Sequence, residues 1–389
     1  MISVLEIGFD TFHKSDSDRR KLQEERRMKC AQHLKSYDLI LYSKNGTKTS
    51  RFEREAKNLT VYYVVGSKFL YPFKILILAH AIAKKKNIDV VTSIDPFMSG
   101  FIACLLRLYF KIPVNVQLHS DYFSEFFWGP PNVSDFLRRV LLKIVLKKSN
   151  TIRVVSELQK EKVEGMGIKN RLIEVIPTPV DITNLNSLKI DISLCAKYKV
   201  NSDTKLLLFV GRLCGAKDLP VLLQSFKIIK ARYENIKLLV IGMGELNDQL
   251  NQFSNDLGLN GNVLFLGSVS NKVIFSYYYG CDIFVISSKH EGRSTVLTEA
   301  ALSRKPIVAT RFSGTYDLIV DGKTGFVVDI GDYRAFADRV LWFLNNPIKI
   351  NEFGKEGYEY VSEKIGKVND IRALVNLWER TAEGVKQLI

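Results

Sequence analysis

Asp282-Ile283-Phe284-Val285-Ile286 runs into Ser287-Ser288-Lys289-His290-Glu291-Gly292-Arg293-Ser294, and Thr295-Val296-Leu297-Thr298-Glu299-Ala300 follows. The apolar residues after Asp282 predict a buried strand, the polar run a loop, and Thr295 to Ala301 the first turns of a helix. A strand, a loop and a helix start in that order build an anion site. The unpaired N–H groups of the first helical turn and the positive end of the helix dipole face the carboxyl end of the strand, where a phosphate or diphosphate fits. Two carboxylates flank that position: Glu291 in the loop, placed for a sugar hydroxyl, and Glu299 one turn into the helix, placed for a ribose diol. An ordinary βα turn with two surface glutamates is the competing reading of these residues alone.

Outward from this stretch, the second half of the chain alternates strand and helix. Leu206 to Val210 is a strand feeding Gly211-Arg212-Leu213-Cys214-Gly215-Ala216-Lys217-Asp218, and Leu219 to Arg232 is a helix. Arg212 and Lys217 fall at the ligand edge of a parallel sheet, where two cations neutralise a diphosphate without a metal ion. Lys237 to Ile241 leads into Gly242-Met243-Gly244, a turn bare enough for a ligand or a helix to come close. Val263 to Gly267 is another strand, with Gly267 at an exit suited to a nucleobase pocket, and Pro306 to Thr310 and Gly325 to Val328 complete the series.

The first half alternates in the same way. Strands are predicted at Ile2–Ile7, Leu39–Tyr42, Val61–Val65, Asp89–Thr92, Val114–Leu118, Thr151–Val155 and Leu172–Ile176, with helices at Leu22–Leu34, Phe73–Lys86, Met98–Phe110 and Asp135–Lys148. His119 stands at the carboxyl end of its strand, in reach of a substrate hydroxyl; a structural histidine is the alternative. Asp16-Ser17-Asp18 is the one D-x-D of the chain, set among polar residues with Arg19 and Arg20 behind it, and reads as a solvated helix cap rather than a metal site. Prolines at 177 and 179 and a polar run to Thr204 mark a domain boundary.

Composition agrees with two domains: 389 residues, 46% apolar, exceed what one core usually holds. The net charge of +15 is unevenly spread. Residues 1–180 carry 30 Lys and Arg against 18 Asp and Glu, whereas residues 181–389 carry 26 against 23. A basic first half points to an anionic partner such as a phospholipid surface, a lipid-phosphate acceptor or a nucleic acid. Within it, Phe136, Leu137, Val140, Leu141, Ile144 and Val145 alternate with Arg138, Arg139, Lys143, Lys147 and Lys148, a pattern of helices that lie on anionic membranes, and equally of a core helix with a basic back. Five scattered cysteines without a CxxC pair argue for a reducing compartment and against zinc. No signal peptide or bilayer-length apolar run is read, so a cytoplasmic protein, soluble or peripheral at the inner face of the cell membrane, is expected.

The assembled motifs resemble the retaining glycosyltransferases of family 4 (GT4), whose fold is GT-B: α/β, two doubly wound Rossmann-like domains facing across a cleft. The resemblance runs through nearly the whole chain. It is carried by Val210-Gly211-Arg212 with Lys217, Gly242-x-Gly244, the E-x7-E from Glu291-Gly292 to Glu299-Ala300, Pro306-Ile307-Val308-Ala309-Thr310 and Asp321-Gly322-x-x-Gly325, and in the first half by Val155-Ser156-Glu157 and Ile176-Pro177-Thr178-Pro179-Val180-Asp181. It implies an acceptor-binding domain over 1–181, a nucleotide-sugar-binding domain over 182–367, and a last helix, 368–389, crossing back to the first domain with Trp378, Ile371, Leu374 and Val375 inward.

The activity implied is transfer of a sugar, with retention and without a metal or other cofactor, from a UDP- or GDP-sugar to a saccharide or lipid-linked acceptor, as in bacterial surface polysaccharide synthesis. Glu291 would bind the donor sugar, Glu299 the ribose, Arg212 and Lys217 the diphosphate, and the backbone of Gly292, Arg293, Ser294 and Thr295 would assist, with His119 approaching the sugar from the first domain. No nucleic-acid partner is expected. An epimerase of the same fold and a non-catalytic binding module are the competing classes. The chain departs from the family pattern in having one glycine in Gly8-Phe9-Asp10-Thr11, Arg293-Ser294 in place of Phe-Gly, and Arg304 where glycine is usual.

Overall fold

The computed structural model describes residues 1–9, 17–43, 51–56, 58–67, 70–128, 132–168, 172–178, 190–191, 193–199, 201–368 and 371–386, with the backbone alone at 17–22, 43, 51–56, 271–272, 365–368 and 385–386. Asp16 and the boundary at 181–182 therefore lie outside what is described, as do the side chains of Ser17 and Asp18. The chain divides into two compact units. One comprises Met1–Phe123, Trp128–Pro177 and Asn369–Ile389; the other comprises Ser124–Phe127 and Thr178–Val368.

The first unit runs β1 (Ser3–Phe9), α1 (Ser17–Ala31), β2 (Ser36–Ser43), β3 (Arg51–Ala56), β4 (Leu59–Val65), α2 (Tyr71–Lys85), β5 (Val90–Ser93), α3 (Met98–Phe110) and β6 (Val114–Leu118). The short α4 (Glu125–Trp128) follows in sequence but belongs, apart from Trp128, to the second unit, and the first resumes with α5 (Val133–Lys148), β7 (Thr151–Val154), α6 (Glu157–Gly165) and β8 (Leu172–Val175). The strands order as β3-β4-β2-β1-β5-β6-β7-β8. All pairs are parallel except β3 with β4, an edge hairpin that the sequence reading lacked. Right-handed crossovers put α1 on one face of this sheet and α2, α3, α5 and α6 on the other.

The second unit runs α7 (Ser193–Ala196), β9 (Lys205–Val210), α8 (Leu219–Arg232), β10 (Ile236–Ile241), α9 (Asn247–Asp256), β11 (Val263–Gly267), α10 (Asn271–Gly280) and β12 (Ile283–Ile286). It continues through α11 (Thr295–Leu302), β13 (Ile307–Thr310), α12 (Thr315–Leu318), β14 (Gly325–Val328), α13 (Tyr333–Asn345) and α14 (Pro347–Val368). Its parallel sheet has the order β11-β10-β9-β12-β13-β14. That is the doubly wound 3-2-1-4-5-6 arrangement, and the winding reverses between β9 and β12. The strands are continuous apolar runs because helices cover both faces; Leu206 to Phe209 and Ile283 to Ile286 are all buried.

The last helix, α15 (Ile371–Lys386), belongs to the first unit, on the α1 side of the sheet. Val375, Trp378 and Ala382 form its buried stripe, against Val4, Leu39, Val61 and Val90. A polar ladder registers it on the sheet. Thr92 Oγ1 donates to Asn115 Oδ1 (3.0 Å), Asn115 Nδ2 to Thr151 Oγ1 (2.9 Å), and the helix joins through Trp378 Nε1 to Asn115 Oδ1 (3.2 Å) and Thr381 Oγ1 with Thr151 Oγ1 (2.7 Å). Such groups are tolerated in a core because each has its partner.

Candidate functional site

The loops after β9 and β12 adjoin because those strands pair, Ile283 with Leu207 and Phe284 with Leu208. They therefore sit at the switch point of the second sheet, where an open α/β sheet leaves a crevice at its carboxyl edge. Backbone and side chains stitch them together. Lys289 N donates to Ala216 O (2.8 Å), Ser287 Oγ to Lys217 O (2.9 Å), and Thr310 Oγ1 from the next strand to Ser288 O (2.7 Å). Lys289 Nζ also pairs with Asp218 Oδ1 at 3.2 Å.

Lys217 pairs with Glu291 across the two loops, and Ser288 Oγ donates to the same carboxylate oxygen at 2.5 Å. Burial pushes the Glu291 carboxyl up, but the Lys217 ammonium and hydrogen bonds from Lys217 and Ser288, with Ser294 close by, more than offset it, so the pKa is lowered. Glu291 is therefore a carboxylate throughout the neutral range. Its folded pKa lies below the ordinary 4.5, so its pairing contributes stability that is fully present above that pH and is lost as pH falls through the folded value. The expected result is a urea midpoint difference between the protein and Glu291→Gln that is constant from about pH 5 to 8 and narrows below about pH 4.5. A difference that widens on acidification overturns this.

Arg212 is exposed near this pair; its carbonyl accepts from Cys214 N (3.0 Å), and its guanidinium has no hydrogen-bond or ion-pair partner among the described residues. Ser294 precedes α11 without capping it; its buried hydroxyl faces Glu291 without closing a well-formed hydrogen bond, and the buried hydroxyl of Thr298 one turn on has no hydrogen-bond partner. The N–H groups of Thr295, Val296 and Leu297 likewise meet no acceptor among the described residues. Three N–H donors, two hydroxyls and an unpaired guanidinium thus border one sheet edge, which is the chemistry of an anion site. Glu299 lies a turn into α11, where the buried Tyr278 donates its hydroxyl to Oε2 at 2.8 Å.

The glycines of the neighbouring turn have a different reason. A Cβ on Gly242 would sit 1.8 Å from Gly211 O, and one on Gly244 would sit 2.1 Å from Leu213 O. What comes close here is the chain's own backbone: Leu213 N donates to Met243 O (3.0 Å) and Leu246 N to Leu213 O (3.1 Å). Gly242 and Gly244 support the Arg212 loop from behind. Gly314 supports Arg293 and Ser294 in the same way, its missing Cβ leaving room for Arg293 Cα at 2.9 Å. Gly267 ends β11 at φ +68°, a conformation that favours glycine, with open space where a side chain would stand.

Arg293 is half-buried. Burial pulls its guanidinium pKa down, and the buried Asp317 carboxylate opposes that pull. His119 belongs to the first unit, at the end of β6. Crowding by protein atoms, then the charge of Arg153, pushes its pKa down, while its solvent-exposed surface limits the depression; both keep it neutral above the ordinary 6.5. Sequence reasoning missed Ser288, which lies inside the quoted stretch, and Tyr278, which sits in an aromatic run without a motif.

Two family matches divide the chain. Residues 193–360 match Glycosyl transferases group 1, and residues 31–184 match Glycosyltransferase Family 4. The capsular polysaccharide biosynthesis glycosyltransferase CapM of Staphylococcus aureus is 25% identical over 362 residues, covering 90% of this chain and 92% of that protein. The 2-deoxystreptamine N-acetyl-D-glucosaminyltransferase of Niallia circulans is 25% identical over 274 residues, 68% of this chain and 69% of that protein. Among solved structures, sucrose-phosphate synthase of Thermosynechococcus elongatus superposes with a TM-score of 0.76 at 17% identity, over 99% of this chain and 98% of that one. Anabaena HepE, in complex with UDP and glucose, gives 0.73 at 17% identity over the full length of both.

Proposed function

We propose, from the premise that this chain belongs to the family 4 glycosyltransferases and has the GT-B fold, that it transfers a sugar from a UDP-sugar to a lipid-linked saccharide, with retention and without a metal ion. Membership makes it a transferase, which sets aside the epimerase and binding-module readings. UDP is preferred to GDP because it is the nucleotide that accompanies the similar structures: HepE in complex with UDP-glucose, and the Escherichia coli protein bound with UDP-2-fluoro glucose. The acceptor class is supported by CapM, named for capsular polysaccharide biosynthesis, and by the basic first unit, and with it goes a proposed position at the cytoplasmic face of the membrane.

The observation that carries the donor assignment is the switch-point edge, where Arg212 is unpaired and Lys217 is already matched to Glu291. Arg212 and the first-turn N–H groups of α11 hold the diphosphate as charge builds on it, in the role a metal ion plays elsewhere. Lys217 keeps Glu291 ionised, and Glu291 orients a hydroxyl of the donor sugar. Glu299, itself oriented by Tyr278, takes the ribose hydroxyls. Retention follows from a front-face path in which the departing phosphate helps to deprotonate the acceptor, and neutral His119 acts as a hydrogen-bonding group, not as a cationic acid.

Equilibrium binding of UDP-, GDP- and ADP-sugars, followed by transfer assays with excess chelator, tests this reading. A UDP-sugar binds, Glu299→Ala weakens it by about 10- to 100-fold, and turnover is unchanged by the chelator. Unchanged transfer in both Glu299→Ala and Arg212→Ala would remove the site. Loss of activity to the chelator with rescue by Mn²⁺ would overturn metal independence and return attention to Asp16-Ser17-Asp18.

A further inference from the structure

Helices α2, α3 and α5 share one face of the first sheet and pack side by side. His80 of α2 meets Tyr109 and Phe110 of α3 with ring centroids 5.0 and 4.9 Å apart. A Cβ on Gly100 of α3 would sit 2.7 Å from Val145 Cγ1 of α5. Their outer sides are apolar. Phe73 and Ile77 of α2 are 65% and 70% exposed, and Leu108 and Tyr109 of α3 are 73% and 72% exposed. On α5 the residues that read as a core stripe split in two. Val145 is buried, with Leu142 and Leu146, while Phe136, Leu137, Val140 and Ile144 face solvent at helical spacing. An open groove of about 560 Å³ with almost wholly apolar walls runs between α2 and α3, bordered by Ile77, His80, Leu105 and Tyr109.

The charge on these helices is one-sided. They carry nine Lys and Arg and a single carboxylate, Asp135. We propose that this three-helix face docks on an anionic phospholipid bilayer, its apolar rows entering the boundary between headgroups and acyl chains and its cations meeting the headgroups. Charge selects this occupant. A second copy of the chain docking through the same face would set these nine cations against their like, and the apolar rows have no use on a nucleic-acid backbone. No described helix is long and apolar enough to cross a membrane, so the attachment is peripheral. The inference rests on the membrane-bound acceptor reading only for its purpose; the surface stands on its own geometry.

The test is flotation of the full chain with phosphatidylcholine vesicles, with and without phosphatidylglycerol, at about 0.1 M salt, with UDP-sugar binding measured on the same samples. The protein floats with the anionic vesicles. Lys143→Gln with Lys147→Gln and Lys148→Gln lowers the partition coefficient on the order of a hundredfold. Phe73→Ser, Ile77→Ser, Phe136→Ser and Ile144→Ser together lower it at least about tenfold. Donor binding is retained in both variants, so a loss of flotation bears on this surface and not on the donor site. Equal flotation with neutral vesicles, flotation unchanged in both variants, or a wild-type dimer that the apolar variant dissolves without any vesicle binding would each overturn the proposal.

Discussion

Lys217→Ala lowers kcat for sugar transfer on the order of a thousandfold and gives the pH–rate profile an acid limb that the parent protein lacks. Two consequences of one contact produce this. The ammonium is removed from the edge where charge develops on the diphosphate. Burial, the largest influence on Glu291, also loses its main opponent, so the carboxyl pKa rises and protonation reaches into the working range. In the proposed role of Glu291 the ionised form is the active one, so kcat/KM of the variant is expected to climb with pH. Removing one partner of this half-buried pair also costs about 1–3 kcal/mol of stability, whereas Lys217→Met combined with Glu291→Gln recovers most of that without recovering activity. Lys217→Arg restores charge with a different fork and restores rate in part. Steady-state rates from about pH 5 to 9 and urea titrations check all four variants. A flat profile with near-parental kcat in Lys217→Ala would end the assignment.

Trp378→Ala destabilises the first unit by about 3–5 kcal/mol, the cost of emptying a site that large in a closed core. The indole is fully buried, 5.9 Å from the Tyr37 ring, and donates to Asn115. Asn115 Oδ1 keeps a second donor in Thr92, so the loss is mainly one of packing rather than of an orphaned acceptor. Trp378→Phe keeps most of the volume and loses less than half as much. Against a domain stability of about 5–15 kcal/mol, the alanine variant leaves the first unit marginal. Urea unfolding followed by tryptophan fluorescence and by far-ultraviolet dichroism measures the change. A loss under about 1 kcal/mol would mean that α15 does not close this core.

Much of this was legible because the signals are local. Buried parallel strands are unbroken apolar runs ended by glycine or by an Asp-Pro turn, and the segments around Phe209 and Phe284 could not be mistaken. Other features were invisible for physical reasons. The edge strand β3, Arg-Phe-Glu-Arg-Glu-Ala, is made of charges that suit a solvated edge and leave no apolar run to read. The Gly-x-Gly at 242–244 looked open to a ligand or a helix, because close approach by a ligand and close approach by the chain itself demand the same missing side chain. Arg304 holds φ +56° while its guanidinium lies over the Tyr358 ring at 4.7 Å. The family's glycine marks that left-handed turn, and here a side-chain contact accompanies the strain. The pairings that matter most, Lys217 with Glu291 and Tyr278 with Glu299, join residues 74 and 21 positions apart. Only the sheet order brings them together.

The placement of α15 also governs how the protein is made. The first unit is discontinuous, opened after Pro177 and completed only from Asn369 onward. Until that helix is in place, the sheet surface around Val4, Leu39, Val61 and Val90 stays uncovered, although its strands are the first to be synthesised. The N-terminal half therefore finishes last, contrary to the usual order of synthesis. A chain truncated before residue 369 keeps the whole second unit but leaves the first with an open, adhesive sheet face, and such a truncation is expected to aggregate.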